Sequence, residues 1–128
     1  MTKQPVDIST TASVEDAAAL FRTDMRANWF GENNTGIATT FTESGGSPLG
    51  IHHTDMPDLA LTAELVSRGE STERLSVHLL IWDRGECRKI RLEAEGNVRA
   101  LRILANRKMR RFVVSLQEED PSLTYTGI

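Results

Sequence analysis

The sequence has 128 residues, the usual length of one domain, and it is 39% hydrophobic and 26% charged, as in ordinary globular proteins. No apolar run approaches the roughly 18 residues of a membrane span, so we expect no membrane partner. The net charge of −3 conceals an uneven distribution of charged residues along the chain. The basic segment, residues 68–111, holds twelve of the fifteen Lys and Arg residues and carries +6, against −6 in 1–67 and −3 in 112–128. Such an asymmetric charge distribution indicates what kind of partner a protein can bind and does not indicate its fold.

Cysteine content and the first residues bear on the compartment. Cys87 is the single cysteine, so no internal disulfide can form, which fits a reducing environment. Residues 1–5 lack the basic and apolar regions of a secretory signal. The sequence therefore predicts a cytoplasmic location.

The first predicted helix spans residues 13–30. Ser13 can cap it, and two acidic residues follow in the first turn, where the helix dipole favours them. One apolar stripe recurs at steps of three and four: Val14, Ala17, Ala18, Phe21, Met25 and Trp29. Gly31 suits a left-handed C-terminal cap. We interpret residues 1–12 as an extended or mobile lead-in.

Strands are predicted in the middle of the chain. Residues 31–58 are rich in Gly, Asn, Thr, Ser and Pro, which is typical of loops, with one short strand at 37–42. From Leu59 the apolar residues alternate, which predicts three strands, near 59–66, 75–81 and 90–94. The short connections between these three strands indicate an antiparallel meander.

The last third allows two interpretations. Asn97 can cap a helix over 98–109, rich in good helix formers, whereas Gly96-Asn97 is also a hairpin turn before alternating apolar residues. We favour the helix. A closing strand is predicted at 112–116, and residues 121–128 are predicted to be a tail or a short edge strand. The fold class is therefore α+β: one domain over 1–128, with an antiparallel sheet of four or five strands, packed by an N-terminal helix and a second helix before the last strand.

The predicted second helix has a basic face. Arg99, Arg107 and Arg110 fall opposite its apolar stripe with Ile103 among them, while Lys108 and Arg111 flank the end. These side chains could meet an acidic partner. Alternatively, they form a solvated face whose C-terminal cations offset the helix dipole, or a surface on which the acidic run 118–120 folds back.

A second candidate surface is the outer face of the meander. Trp82 lies there beside Lys89 and Arg91, and a ring flanked by cations can stack a base while the cations hold phosphates. We favour a different interpretation, in which a helix packs on Leu80 and Trp82, because nucleic-acid platforms usually use several aromatic residues.

Catalytic and metal-binding patterns are weak. His52, His53, Asp55 and Asp58 are ligand types without a recognised spacing, and His78 stands alone unless it lies across a hairpin from Cys87. We expect no catalytic residue, metal or cofactor.

The sequence thus predicts a small non-catalytic binding or accessory protein whose basic segment engages an acidic protein partner. Two alternatives stay open. One is a nucleic-acid-binding protein that uses the same segment and Trp82, and the other is a small metal- or His-dependent enzyme.

Overall fold

The computed structural model describes residues 5–26, 37–44, 56–67 and 73–127. Within these ranges six strands and two helices follow in the order β1 (Val6–Thr10), α1 (Val14–Met25), β2 (Ile37–Ser44), β3 (Leu59–Ser67), β4 (Glu73–Asp83), β5 (Arg88–Glu95), α2 (Arg99–Glu119) and β6 (Thr124–Thr126). The predicted α+β class is confirmed, with more strands than the four or five expected. Neither helix is long and apolar enough to cross a membrane.

The strands form one antiparallel sheet in the order β2-β3-β4-β5-β1-β6. The meander from β2 to β5 confirms the alternation seen from Leu59 onward. Within residues 1–12, predicted to be an extended or mobile lead-in, Val6–Thr10 are extended as strand β1, which pairs with β5 and buries Val6, Ile8 and Thr10. Two apolar residues within a polar stretch are too short an alternation to predict a strand.

Both helices pack on one face of the sheet and form the core. Core side chains on this face alternate along the strands and include Leu61, Ala63, Leu65, Leu75, Val77, Leu79, Ile81, Ile90 and Leu92. The helices meet over them through Phe21 of α1 and Phe112 of α2, whose rings stand edge to face at 5.8 Å. The opposite face of the sheet carries neither of these helices and is called the open face below for that reason, although Leu80 and His78 are buried on it.

Helix α1 begins as predicted and ends early. The hydroxyl of Ser13 accepts a hydrogen bond of 3.0 Å from the Asp16 N–H, which is the expected cap. Met25 is the last helical residue, and Arg26 is already extended. Trp29 and Gly31, which we placed on the stripe and at the cap, lie outside the described residues.

Helix α2 is longer than predicted. The strand expected at 112–116 is wrong, because this stretch continues α2 and buries Phe112, Val113 and Leu116. The hairpin alternative is excluded by the same helix, and its N-cap is Val98 rather than Asn97. Val113 and Val114 are β-branched and suit a strand, yet the apolar steps of three and four from Leu101 onward continue through 112–116.

Of the two structures predicted for residues 121–128, the short edge strand is found, as β6. Tyr125 pairs with Ile8, and Thr124 and Thr126 pair with Ser9 and Asp7. Gly127 ends the strand with φ +108°, and a Cβ there would lie 2.5 Å from the Pro5 carbonyl oxygen. Glycine is therefore required where the chain passes the start of β1.

Candidate partner-binding site

The outward face of α2 carries cations and apolar side chains together. Arg99, Ile103, Arg107, Arg110 and Val114 fall within about 80° of the helix circumference at roughly 100° per residue. We call these five residues the α2 outer stripe. Ile103 and Val114 are each 53% exposed, and the three arginines are exposed as well. The structure thus brings together four residues predicted from the sequence and adds Val114, which the prediction had placed in a strand.

The arginines of the α2 outer stripe have no acidic partner in the described part of the chain. Ion pairs form elsewhere: Arg22 with Glu43, Arg74 with Glu64, Arg88 with Asp83, Arg91 with Asp7 and Glu93, and His78 with Glu95 if His78 is protonated. No carboxylate among the described residues lies within ion-pairing distance of Arg99, Arg107 or Arg110. Their charge is therefore left for solvent or for another molecule.

Helix-dipole compensation does not account for these cations. Because α2 continues to Glu119, Arg107 and Arg110 lie in its middle rather than in its last turn. The first turn contains no acidic residue and the last turn no basic residue, so Arg99 and Glu119 lie at the ends that the dipole disfavours. This charge arrangement does not stabilise the helix.

The acidic run at the end of α2 does not fold back on the stripe. Glu118 and Glu119 are exposed within the helix itself. Asp120 is buried, and its carboxylate accepts hydrogen bonds from Thr10 and Ser122. The intramolecular charge match is therefore not formed.

Lys108 and Arg111 lie on the flank of α2 away from β6. The Lys108 ammonium donates a hydrogen bond of 2.9 Å to the Arg26 carbonyl at the end of α1. Burial lowers the pKa of Lys108, the charge of Arg111 lowers it further, and Asp24 acts in the opposite direction. The last carbonyl groups of a helix have no N–H donor within the helix, and Lys108 supplies a donor to one of them. Lys108 therefore links the two helices.

A cavity of about 280 Å³ adjoins the α2 outer stripe, between α2 and β6. It is lined by Arg110, Val113, Val114, Gln117 and Tyr125, so a cation and an amide stand beside valine methyls and an aromatic ring. Tyr125 is 40% exposed. The sequence could not indicate this site, because it requires 113–117 to be helical and 124–126 to be a strand.

On the second predicted surface, which lies on the open face, one of the two cations is paired with a carboxylate of the same sheet. The Arg91 Nε lies 2.8 Å from Asp7 Oδ1, and this hydrogen bond raises the pKa of Arg91. Lys89 is exposed, contacts the Ser9 hydroxyl at 3.4 Å and pairs across the ladder with Trp82. A helix expected on Leu80 and Trp82 is not found in the described residues, where both helices take the other face.

His78 has hydrogen-bonding partners that could not be predicted from the sequence. It is 4% exposed on the open face, with Nδ1 2.8 Å from the Thr62 hydroxyl and Nε2 3.0 Å from Glu95 Oε1. Both ring nitrogens are thus satisfied within the sheet. The ladder sets Glu93 opposite His78, while Cys87 lies in the turn beyond the Asp83–Arg88 pair, so His78 does not lie across the hairpin from Cys87.

Of the loop residues weighed as metal ligands, Asp58 alone belongs to the described part of the chain. His52, His53 and Asp55 lie outside the described residues. Asp58 accepts a hydrogen bond of 2.7 Å from the Asp83 N–H, a structural role at the end of β4. Among the described residues no group of three potential metal ligands comes together.

No protein-family model matches the chain, and no curated protein or solved structure shows a significant match to it.

Proposed function

We propose that this is a non-catalytic binding protein that engages an acidic surface of a partner protein through the α2 outer stripe, whose three arginines belong to the basic segment. The supporting observation is that Arg99, Arg107 and Arg110 lack acidic partners among the described residues while exposed Ile103 and Val114 stand between them. Protein interfaces combine an apolar centre with polar and charged contacts around it. Arginine is enriched in such contacts because its guanidinium binds carboxylates through two parallel hydrogen bonds.

The two residue types contribute differently to such an interface. Burial of Ile103 and Val114 against a partner supplies affinity at about 25 cal/mol per Å² of apolar surface, before the costs of association. The arginines steer the encounter and reject basic surfaces. Since α2 is anchored in the core by Phe112 and Leu116, the stripe is presented on a rigid element.

A protein partner is favoured over nucleic acid by two features. Ile103 and Val114 place exposed apolar surface between the cations, and phosphate groups gain nothing from contact with apolar surface. The chain as a whole is acidic, with a pI of about 5.6, whereas dedicated nucleic-acid binders are usually basic. On the open face, Arg91 is already paired with Asp7 beside Trp82 and Lys89, which leaves less charge there for phosphates.

The proposal is tested by capturing partners from an extract of the native source. The baits are the wild-type protein, the triple variant Arg99→Glu, Arg107→Glu and Arg110→Glu, and the control Arg26→Glu, which reverses an exposed cation at the end of α1. We expect acidic proteins to be recovered with the wild type and the control and lost with the triple variant. Equal recovery by all three baits contradicts the proposal, and recovery of nucleic acid with a steep salt dependence indicates the alternative.

A further inference from the structure

The outer edge of β6 is open in the described part of the chain. β6 pairs with β1 on one side and forms the end of the sheet on the other. All three of its residues are exposed. An edge of this kind presents unpaired backbone donors and acceptors to which an extended chain can add.

Residues along β6 alternate between two different environments. Tyr125 lies on the helix side of the sheet and lines the cavity beside α2, whereas Thr124 and Thr126 lie on the open face. A strand added beside β6 has the same alternation. Every second side chain of that strand therefore points toward α2, and those between them lie beside threonine.

The cavity between α2 and β6 suits an apolar side chain with an acidic neighbour. Val113, Val114 and the Tyr125 ring offer an apolar lining, and Arg110 stands at the same cavity without a carboxylate partner among the described residues. An apolar group that enters the cavity removes the valine and tyrosine surfaces from water. A carboxylate next to it on the same face of the added strand then meets the guanidinium of Arg110.

We propose that the partner contributes an extended acidic segment that adds to β6 as an edge strand. One apolar side chain of this segment fills the cavity, and a carboxylate two positions away pairs with Arg110. This inference rests on the proposed function and specifies how the partner reaches the α2 outer stripe. It defines a recognition pattern, in which an apolar and an acidic residue are separated by one small polar residue.

The test uses synthetic blocked peptides as probes. The matching peptide has leucine and glutamate two positions apart, with threonine between and around them. One control peptide has the same composition with leucine and glutamate adjacent, and another is N-methylated along its backbone. We expect the matching peptide to bind at least tenfold more tightly than either control, since adjacent residues point to opposite faces and N-methylation removes strand pairing. Slower amide exchange at Thr124–Thr126 on binding is the expected spectroscopic sign.

Protein variants separate this inference from the proposed function. Arg110→Glu is expected to weaken the matching peptide at least tenfold, and Arg26→Glu to leave its binding unchanged. If all three peptides bind equally and Arg110→Glu still weakens them, the strand-addition mode is overturned and the proposed function stands. If the peptides do not bind while the α2 arginines still capture acidic proteins, the mode is likewise overturned. If the matching peptide binds and Arg110→Glu does not weaken it, the proposed contact between Arg110 and a carboxylate of the partner is overturned.

Discussion

The carboxylate of Asp120 accepts a hydrogen bond of 2.8 Å from the hydroxyl of Thr10, which lies 110 positions earlier in the chain. The Thr11 N–H donates to the same oxygen at 2.8 Å, and Ser122 donates to the other oxygen. A single side chain therefore ties the end of α2 to the connection between β1 and α1. This contact fixes the helix that carries the proposed binding surface.

Asp120 is expected to make stability sensitive to acid. Hydrogen bonds from the Ser122 hydroxyl, the Thr11 backbone and the Thr10 hydroxyl hold the pKa of Asp120 well below its ordinary value, and they outweigh the opposing effect of burial. A carboxyl whose pKa is depressed by folding contributes stability above its unfolded pKa of about 3.9 and loses it as the pH falls toward the folded pKa. Asp120→Asn should lower stability at neutral pH and flatten the decline between about pH 5 and 2. Denaturant melts with parallel pH profiles for both proteins would contradict this role.

Much of the fold follows from local patterns in the sequence. Alternation from Leu59 to Ala94 predicts the meander, and Ser13 with the Phe21 stripe predicts α1, because each element buries one regular face. The elements that were missed depend on distant partners. β1 forms its ladder with β5, whose residues follow 78 to 86 positions later, and 112–116 is helical because its apolar residues extend the stripe of α2.

The sequence predicts the positive charge of the candidate site but does not predict its shape. The excess of Arg between residues 68 and 111 indicated a basic surface, and Ile103 was placed among the cations from the helical period alone. Whether an arginine is paired depends on the tertiary structure, which neutralises Arg91 and leaves Arg110 without a carboxylate among the described residues. The cavity beside Tyr125 requires two elements that are adjacent only in the folded chain.

The Phe21–Phe112 contact should be a major source of stability between the helices. Both rings are fully buried and meet at 5.8 Å with an interplanar angle of 89°. Each change to alanine should cost about 3–5 kcal/mol of unfolding free energy. A double-mutant cycle should show a coupling of about 0.5–1.5 kcal/mol from the edge-to-face geometry. Single losses below about 1 kcal/mol in urea melts would mean that the helices do not pack in this way.

Two proline substitutions test the extent of α2. Ala100 is its second residue, before the first helical hydrogen bond from Arg102 to Val98, so Ala100→Pro should cost little. Arg107 lies in the exposed middle, where Arg107→Pro should cost about 3 kcal/mol or more. Equal losses for the two variants in urea melts, or extended backbone chemical shifts at 112–116, would contradict the long helix.

Whether the α2 outer stripe binds the partner is tested most directly by association rates. The captured acidic partner is mixed with the wild type, the triple variant and Arg26→Glu across a range of salt concentrations. Reversing Arg99, Arg107 and Arg110 is expected to slow association by at least about tenfold at low salt, and the difference should shrink as salt screens the charges. Unfolding free energy should change by no more than about 1 kcal/mol, because exposed charges contribute little to stability. Equal association rates for the wild type and the triple variant at every salt concentration would contradict the claim that the α2 outer stripe binds the partner.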